Sequence, residues 1–148
     1  MTDEQYRAYR DTAEDGYAKE IAESGLLAWP DAVEKASEDF GRMLPDGLAT
    51  PDNYLRTAYD DGAEVGLLWL KIDTRSDGRR AFVADVSVRE ELRRRGYGEA
   101  IMTAAEALGR DLGAGTIALN VFGHNTGARA LYEGLGYETT SVQMRKRL

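Results

Sequence analysis

The sequence predicts an α/β fold of the α+β kind, with a mixed, mostly antiparallel central sheet flanked by helices. Three observations carry this expectation: two segments of helical period at the head of the chain, three β-patterned segments joined by tight turns, and a strand–helix–strand–helix passage around a glycine turn. Thr2, with Gln5 three residues later, resembles a capping box, and Tyr6, Tyr9, Ala13, Tyr17 and Ile21 recur at helical spacing up to Gly25. Pro30 and Asp31 open a second helix whose apolar positions Ala32, Val33, Ala36, Phe40 and Met43 run to the break at Pro45-Asp46-Gly47. After a loop through Thr50-Pro51-Asp52, residues 54–59, 65–72 and 81–88 read as strands. Asp60-Asp61-Gly62 and Ser76-Asp77-Gly78 join them, connections short enough for antiparallel hairpins. Ile101, Ala104, Ala105, Leu108 and Leu112 then trace one buried helical stripe ending at Gly113, and residues 116–122 form an apolar strand. A strand, helix, strand passage makes a parallel pair through a right-handed crossover, so the sheet is mixed. Asn125 precedes a helix with Ala128, Leu131, Tyr132 and Leu135 on one face, and residues 137–140 and 142–147 are expected as the last two strands. No repeat or linker interrupts residues 1–148, which are read as one domain.

Composition narrows the function. Hydrophobic content of 43% and 30% charge are those of an ordinary globule with a core. The chain has no cysteine, which excludes disulfides, thiolate metal sites and cysteine nucleophiles, and its single histidine cannot build a metal cluster, so no metal is expected. The longest apolar stretch, residues 65–72, contains Gly66 and ends in charge, far short of a membrane span. No N-terminal segment has the charged start and apolar middle of a signal peptide, and the expected location is the cytoplasm. The net charge of −7 is uneven: residues 1–64 hold 16 acidic against 6 basic side chains, and residues 65–148 hold 10 against 13. An acidic first half repels nucleic acid, whose binding rests on Lys and Arg neutralising phosphates. It either solvates a surface or attracts a cationic substrate.

The most informative run is Val86-Ser87-Val88 followed by Arg93-Arg94-Arg95-Gly96-Tyr97-Gly98 and the helix from Glu99. A helix start leaves backbone N–H groups without partners, and glycines let that backbone approach an oxyanion, so the loop suits a pyrophosphate. No Gly-Lys-Ser/Thr triplet exists for a Walker loop. Ile101 stands where a dinucleotide fingerprint needs its third glycine or alanine.

Arg93-Arg94-Arg95-Gly96-Tyr97-Gly98 does match the Arg/Gln-x-x-Gly-x-Gly/Ala signature of the GNAT superfamily of N-acetyltransferases. Downstream, the run from Asn125 through Ala128, Leu131 and Tyr132 to Gly136-Tyr137 resembles that family's Asn-x-x-Ala-x-x-Leu-Tyr-x-x-x-Gly-Phe. Asn125 and Tyr132 stand two helical turns apart and face one cleft. Met43-Leu44-Pro45-Asp46-Gly47-Leu48-Ala49-Thr50-Pro51, Val65-Gly66-Leu67-Leu68-Trp69-Leu70 and Val121-Phe122-Gly123-His124-Asn125 are similar to the YycN-like bacterial branch of the superfamily. One departure stands out: such proteins usually open with a strand, whereas here a helix cap begins at Thr2, so the first strand is either missing or reduced to Met1 and Thr2.

The resemblance implies transfer of an acetyl group from acetyl-CoA to a primary amine by direct attack. Under it, the N–H groups around Arg94, Arg95, Gly96, Tyr97 and Gly98 hold the CoA pyrophosphate, Arg93 or Arg94 adds charge, and Val86 and Val88 offer backbone groups to the pantetheine. Tyr132 is then the general acid that protonates the leaving sulfur, or alternatively an aromatic packing residue. Asn125 either bonds the pantetheine or caps its helix. Asp85 is the leading general base: alternation puts Phe82, Ala84, Val86 and Val88 on one strand face and Asp85 with Ser87 on the other, and an acid on a central strand is unusual. A structural pairing with an arginine is the alternative for Asp85, and His124 or a water chain could supply the base instead.

The acceptor is less legible. The resemblance implies that the early helices and the final strand pair wall the amine site, so acidic residues within 1–44 and Trp29 point to a small-molecule or peptide amine that is itself cationic; an exposed edge strand would invite a homodimer. A non-catalytic acyl-CoA-binding or sensing module, and a generic nucleotide-binding protein, are the competing readings.

Overall fold

Thr2 and Gln5 close the start of the first helix: Gln5 N–H donates to Thr2 Oγ1 at 3.2 Å and Thr2 N–H donates to Gln5 Oε1 at 2.9 Å. This reciprocal cap opens α1 (Asp3–Glu23), and no strand precedes it among the described residues. The computed structural model describes residues 1–146 and 148. Pro30, in the first turn, opens α2 (Trp29–Met43), and a 3₁₀ turn at Gly47–Ala49 leads into the sheet. Strands β1 (Asn53–Asp60), β2 (Ala63–Arg75) and β3 (Gly78–Val88) are antiparallel neighbours through the two tight turns. Helix α3 (Tyr97–Asp111) then returns the chain so that β4 (Ala114–Leu119) lies parallel to β3, giving the order β1-β2-β3-β4. Helix α4 (Thr126–Gly134) closes the sequence of elements.

The chain beyond α4 departs from expectation. Residues 137–140 and 142–146 pair with no strand, while Arg147, the end of the second expected strand, lies outside the described residues. Val142 and Met144 do alternate as a strand would, yet they are 72% and 88% exposed. Alternation states what a strand would bury, but pairing requires a partner edge in register. The fourth strand also stops at Leu119, short of the expected Phe122.

Two cores sandwich the sheet. On one face Tyr9, Phe40 and Leu44 from the α1/α2 side pack on Leu55 and Trp69; on the other, Leu68, Leu70, Ile72, Ala81 and Val83 pack on Ile101, Met102 and Ala105 of α3. Ala18 and Ile21 meet Ala32 and Ala36 between the first two helices, with Phe122 against them. Trp69 is 1% exposed, and its indole N–H is satisfied by Asn53 Oδ1 at 2.8 Å.

A bulge decides which residues of β3 face which core. Trp69 opposes Asp85 while Leu70 opposes Val83, so Ala84 is an extra residue in β3. Expected alternation is therefore overturned: Val83, Val86 and Val88 share the α3 face, and Ala84 packs on the α1/α2 side instead of joining Val86 and Val88. Asp85, opposite Trp69, is aimed at α1.

Gly66 of β2 lies under the Ser87 carbonyl, where a Cβ would sit 2.2 Å from that oxygen and 2.9 Å from Ile101 Cδ1. Gly66→Ala forces the β2/β3 pair or α3 to move. We expect a loss of stability of about 1–3 kcal/mol, read as a lower urea midpoint at unchanged m-value.

Candidate active site

Strand β3 outruns its parallel neighbour. Pairing with β4 covers Arg79 to Val83 only, and β3 continues through Val88 while the chain after Leu119 leaves for α4. The sheet is thus split along one side of Ala84, Asp85, Val86, Ser87 and Val88. Arg89 N–H donates to Val65 O at 3.0 Å, and the alternation of an antiparallel ladder makes Ser87/Leu67 and Asp85/Trp69 the next bonded pairs. The N–H and C=O groups of Val86 and Val88 consequently point away from β2, into the split.

The same strand delivers the chain to the arginine-rich turn. Arg94 sits at φ 63° and Gly96 at φ 88°, the left-handed region that glycine enters without cost. Gly96 caps α3 with no side-chain bond, and the first intrahelical bond is Ala100 N–H to Gly96 O at 3.1 Å. Helical geometry leaves the amides of Tyr97, Gly98 and Glu99 without intrahelical acceptors, at the positive end of the α3 dipole. Arg93, Arg94 and Arg95 are exposed around them; Arg93 Nε also lies 3.4 Å from Val88 O. Tyr97 commits its hydroxyl to Asp60 Oδ2 at 2.7 Å, which ties the turn to the β1/β2 hairpin and leaves its backbone N–H free of that bond. These unpaired donors, with three cations beside them, fit a pyrophosphate.

Around the split, titratable groups gather from three elements. Asp85 accepts a hydrogen bond from Tyr9 Oη of α1 at 2.8 Å. Burial raises its carboxyl above the ordinary range, against the opposing pull of Tyr9 and of the Val86 N–H. Tyr132 of α4 packs with the α3-side core, its ring centroid 5.9 Å from that of Tyr137. Burial first, then the charges of Asp85 and Glu20, push its phenol up. Tyr137 Oη is buried against Glu106 without a hydrogen bond of good geometry, and burial followed by that carboxylate moves it to about 12. Glu20, on the α1 stripe that also carries Tyr9, is raised by desolvation and by Asp85 and lowered by His124. His124 stacks on Phe122 and points Nε2 at Glu23 Oε2, 3.6 Å away.

The structure thus brings Asp85 and Tyr132 within electrostatic reach of each other, beside the open backbone of Val86 and Val88. It sets Asn125 at the start of α4, where Oδ1 accepts from Ala128 N–H at 3.2 Å, the capping role of its two alternatives. His124 faces α1 carboxylates rather than Asp85. Trp29 is 45% exposed at the start of α2. Tyr9 and Glu20 are the residues that sequence reasoning passed over; an acid eleven positions after Tyr9, about three turns on and inside an otherwise apolar arc, was the available signal.

A mixed sheet split between parallel strands, with an open helix start at the end of the longer one, is an acetyltransferase architecture, and residues 9–137 match the acetyltransferase (GNAT) family. The chain belongs to that family and is an acetyltransferase of GNAT type. It is 32% identical over its whole length to two proteins of Bacillus subtilis, the uncharacterized N-acetyltransferases YdgE and YycN, covering 95% and 96% of them. The crystal structure of YycN superposes with a TM-score of 0.95 over all of this chain and 95% of that one. A solved structure of the same fold, AAC(6')-Iy in complex with the bisubstrate analog CoA-S-monomethyl-acetylneamine, matches at a TM-score of 0.56 and 20% identity over 78% of this chain and 80% of its own. Among the described residues no helix is long and apolar enough to cross a membrane.

Proposed function

We propose that this acetyltransferase uses acetyl-CoA and acetylates a primary amine of a small molecule or peptide by direct attack, with Asp85 as general base and Tyr132 as general acid. The observation that carries the reading is the split beside β3: it leads from the open amides at Gly96-Tyr97-Gly98 to a carboxyl on one sheet face and a phenol on the other. When bound, acetyl-CoA supplies an acyl thioester. The amides of Tyr97, Gly98 and Glu99 bind its pyrophosphate, and Arg93, Arg94 and Arg95 neutralise the charge. Val86 and Val88 turn N–H and C=O groups away from β2 into the gap that β4 leaves, where the pantetheine amides would pair with them as an extra strand. Asn125, its Oδ1 spent on the cap, retains its amide N–H groups for the same arm.

Asp85 takes the proton of the entering ammonium; its raised pKa makes it a better acceptor than an ordinary carboxylate. Tyr132 gives its phenolic proton to the departing sulfur. Burial and two nearby carboxylates keep that phenol protonated. Glu20 lies within electrostatic reach of Asp85, and Glu23 faces His124; with Asp85 these α1 carboxylates favour an acceptor that carries positive charge.

Thiol release from acetyl-CoA, followed across a panel of primary amines, tests this reading. Turnover is expected for cationic amines, with acceptor affinity weakening as salt rises. Calorimetric binding of acetyl-CoA without thiol release on any amine would overturn it in favour of an acyl-CoA-binding module.

A further inference from the structure

We propose that Tyr9 of α1 is a positioning residue for acetyl transfer, holding one oxygen of the Asp85 carboxyl so that the other is presented to the entering ammonium. This rests on the reading of Asp85 as the base. Tyr9 Oη donates to Asp85 Oδ2 at 2.8 Å, which commits that oxygen and fixes the plane of the carboxylate. The tyrosine is itself held. It is 6% exposed, its ring centroid lies 6.3 Å from that of Phe40, and Phe40 in turn lies 5.6 Å from Trp69. Trp69 is the residue opposite Asp85 in the β2/β3 ladder, so the aromatic chain returns to the strand position it serves. The bulge at Ala84 completes the device: regular alternation through Ala84 would put Asp85 on the face of Val83, pointing into the α3 core and out of reach of Tyr9.

Tyr9 is a donor here and not a proton carrier. Burial first, and then the charge of Asp85, push its phenol far above the range in which it could ionise. The groups that face Asp85 are few. From α1 they are Tyr9 and Glu20, from α4 Tyr132, and from β2 the uncharged Trp69; His124 acts on Glu20. Glu20 and Tyr132 offer no compensating donor for the ionised carboxylate on the α1 side, so the Tyr9 hydroxyl is the side-chain bond that favours its charged form.

Deleting a hydrogen bond to the ionised form raises the carboxyl pKa, and a base is active only when deprotonated. Tyr9→Phe, which keeps the ring on Phe40, should move the acid limb of kcat/KM toward higher pH. With the best acceptor from the amine panel, kcat/KM on the acid side should fall about tenfold and recover on the alkaline side. Carboxyl-carbon NMR of the full chain, with Asp85→Asn used for assignment, should show the Asp85 titration moving in the same direction. A tyrosine that only packs would lower the urea midpoint at every pH and leave both the limb and the titration in place, and that result overturns the proposal. A second comparison guards against a poorly folded variant: added to Asp85→Asn, the Tyr9→Phe change should cost no further turnover, and an additional tenfold loss on that background would overturn the proposal. Failure of the parent reading looks different, because Asp85→Asn would then retain wild-type turnover.

Discussion

Tyr132→Phe should lower kcat by about a hundred- to ten-thousandfold while leaving acetyl-CoA affinity nearly unchanged. The substitution removes one oxygen and keeps the ring, so packing with Tyr137 and the α3-side core survives. What it removes is the proton for the departing sulfur. A thiolate leaving in a partly desolvated gap near Asp85 and Glu20 gains less from water than it would in bulk solution, which is where a positioned acid has the greatest effect. The same surroundings predict the pH behaviour. Desolvation and the two carboxylates raise the phenol above its ordinary value of 10.0, so Tyr132 stays protonated across the neutral range and no alkaline limb arises from it there. Pre-steady-state thiol release, with calorimetry on the CoA complex, separates the two quantities. Equal loss of binding and turnover would identify Tyr132 as a packing residue and sink the acid assignment.

How far this site could be read from the chain alone depends on the range of the forces involved. Signals that act over a few residues were legible: the Thr2/Gln5 cap, the Pro30 start of α2, the left-handed turn at Gly96 and the Asn125 cap of α4 each need only their neighbours. The order of strands followed from the short turns and the single crossover helix. The bulge at Ala84 was not legible, because period-two alternation carries no mark of one extra residue; that residue is set by the ladder with Trp69 and Leu70. Its consequence is large, since it decides that Asp85 meets Tyr9 rather than the Val83 core. Tyr9 itself reads in sequence as one more apolar position of α1, and only the fold shows that its ring is buried while its hydroxyl reaches β3. The segment after α4 illustrates the opposite case, a strand pattern in Val142 and Met144 for which the described residues provide no paired edge.

Asp85→Asn should abolish most turnover and at the same time stabilise the protein at neutral pH. Burial raises the folded-state pKa of Asp85 above its ordinary 3.8, so the folded protein holds this proton more tightly than the unfolded chain does. Below the unfolded value both states are protonated and the group costs nothing. As pH rises from there toward the folded value the unfolded chain ionises first, stability falls, and above the folded value the penalty is constant. Asparagine cannot ionise, and its Oδ1 can still accept from Tyr9 Oη, so the variant escapes the penalty without losing that bond. Urea unfolding from acid to neutral pH should therefore give two curves that meet at the acid end and separate as pH rises, with the variant above. A variant less stable than the parent at neutral pH would mean that the carboxylate is a net structural asset, paired rather than strained. The predicted outcome, lost activity with gained stability, is the signature of a buried acid retained for chemistry, and a packing residue or a surface ion pair does not produce it.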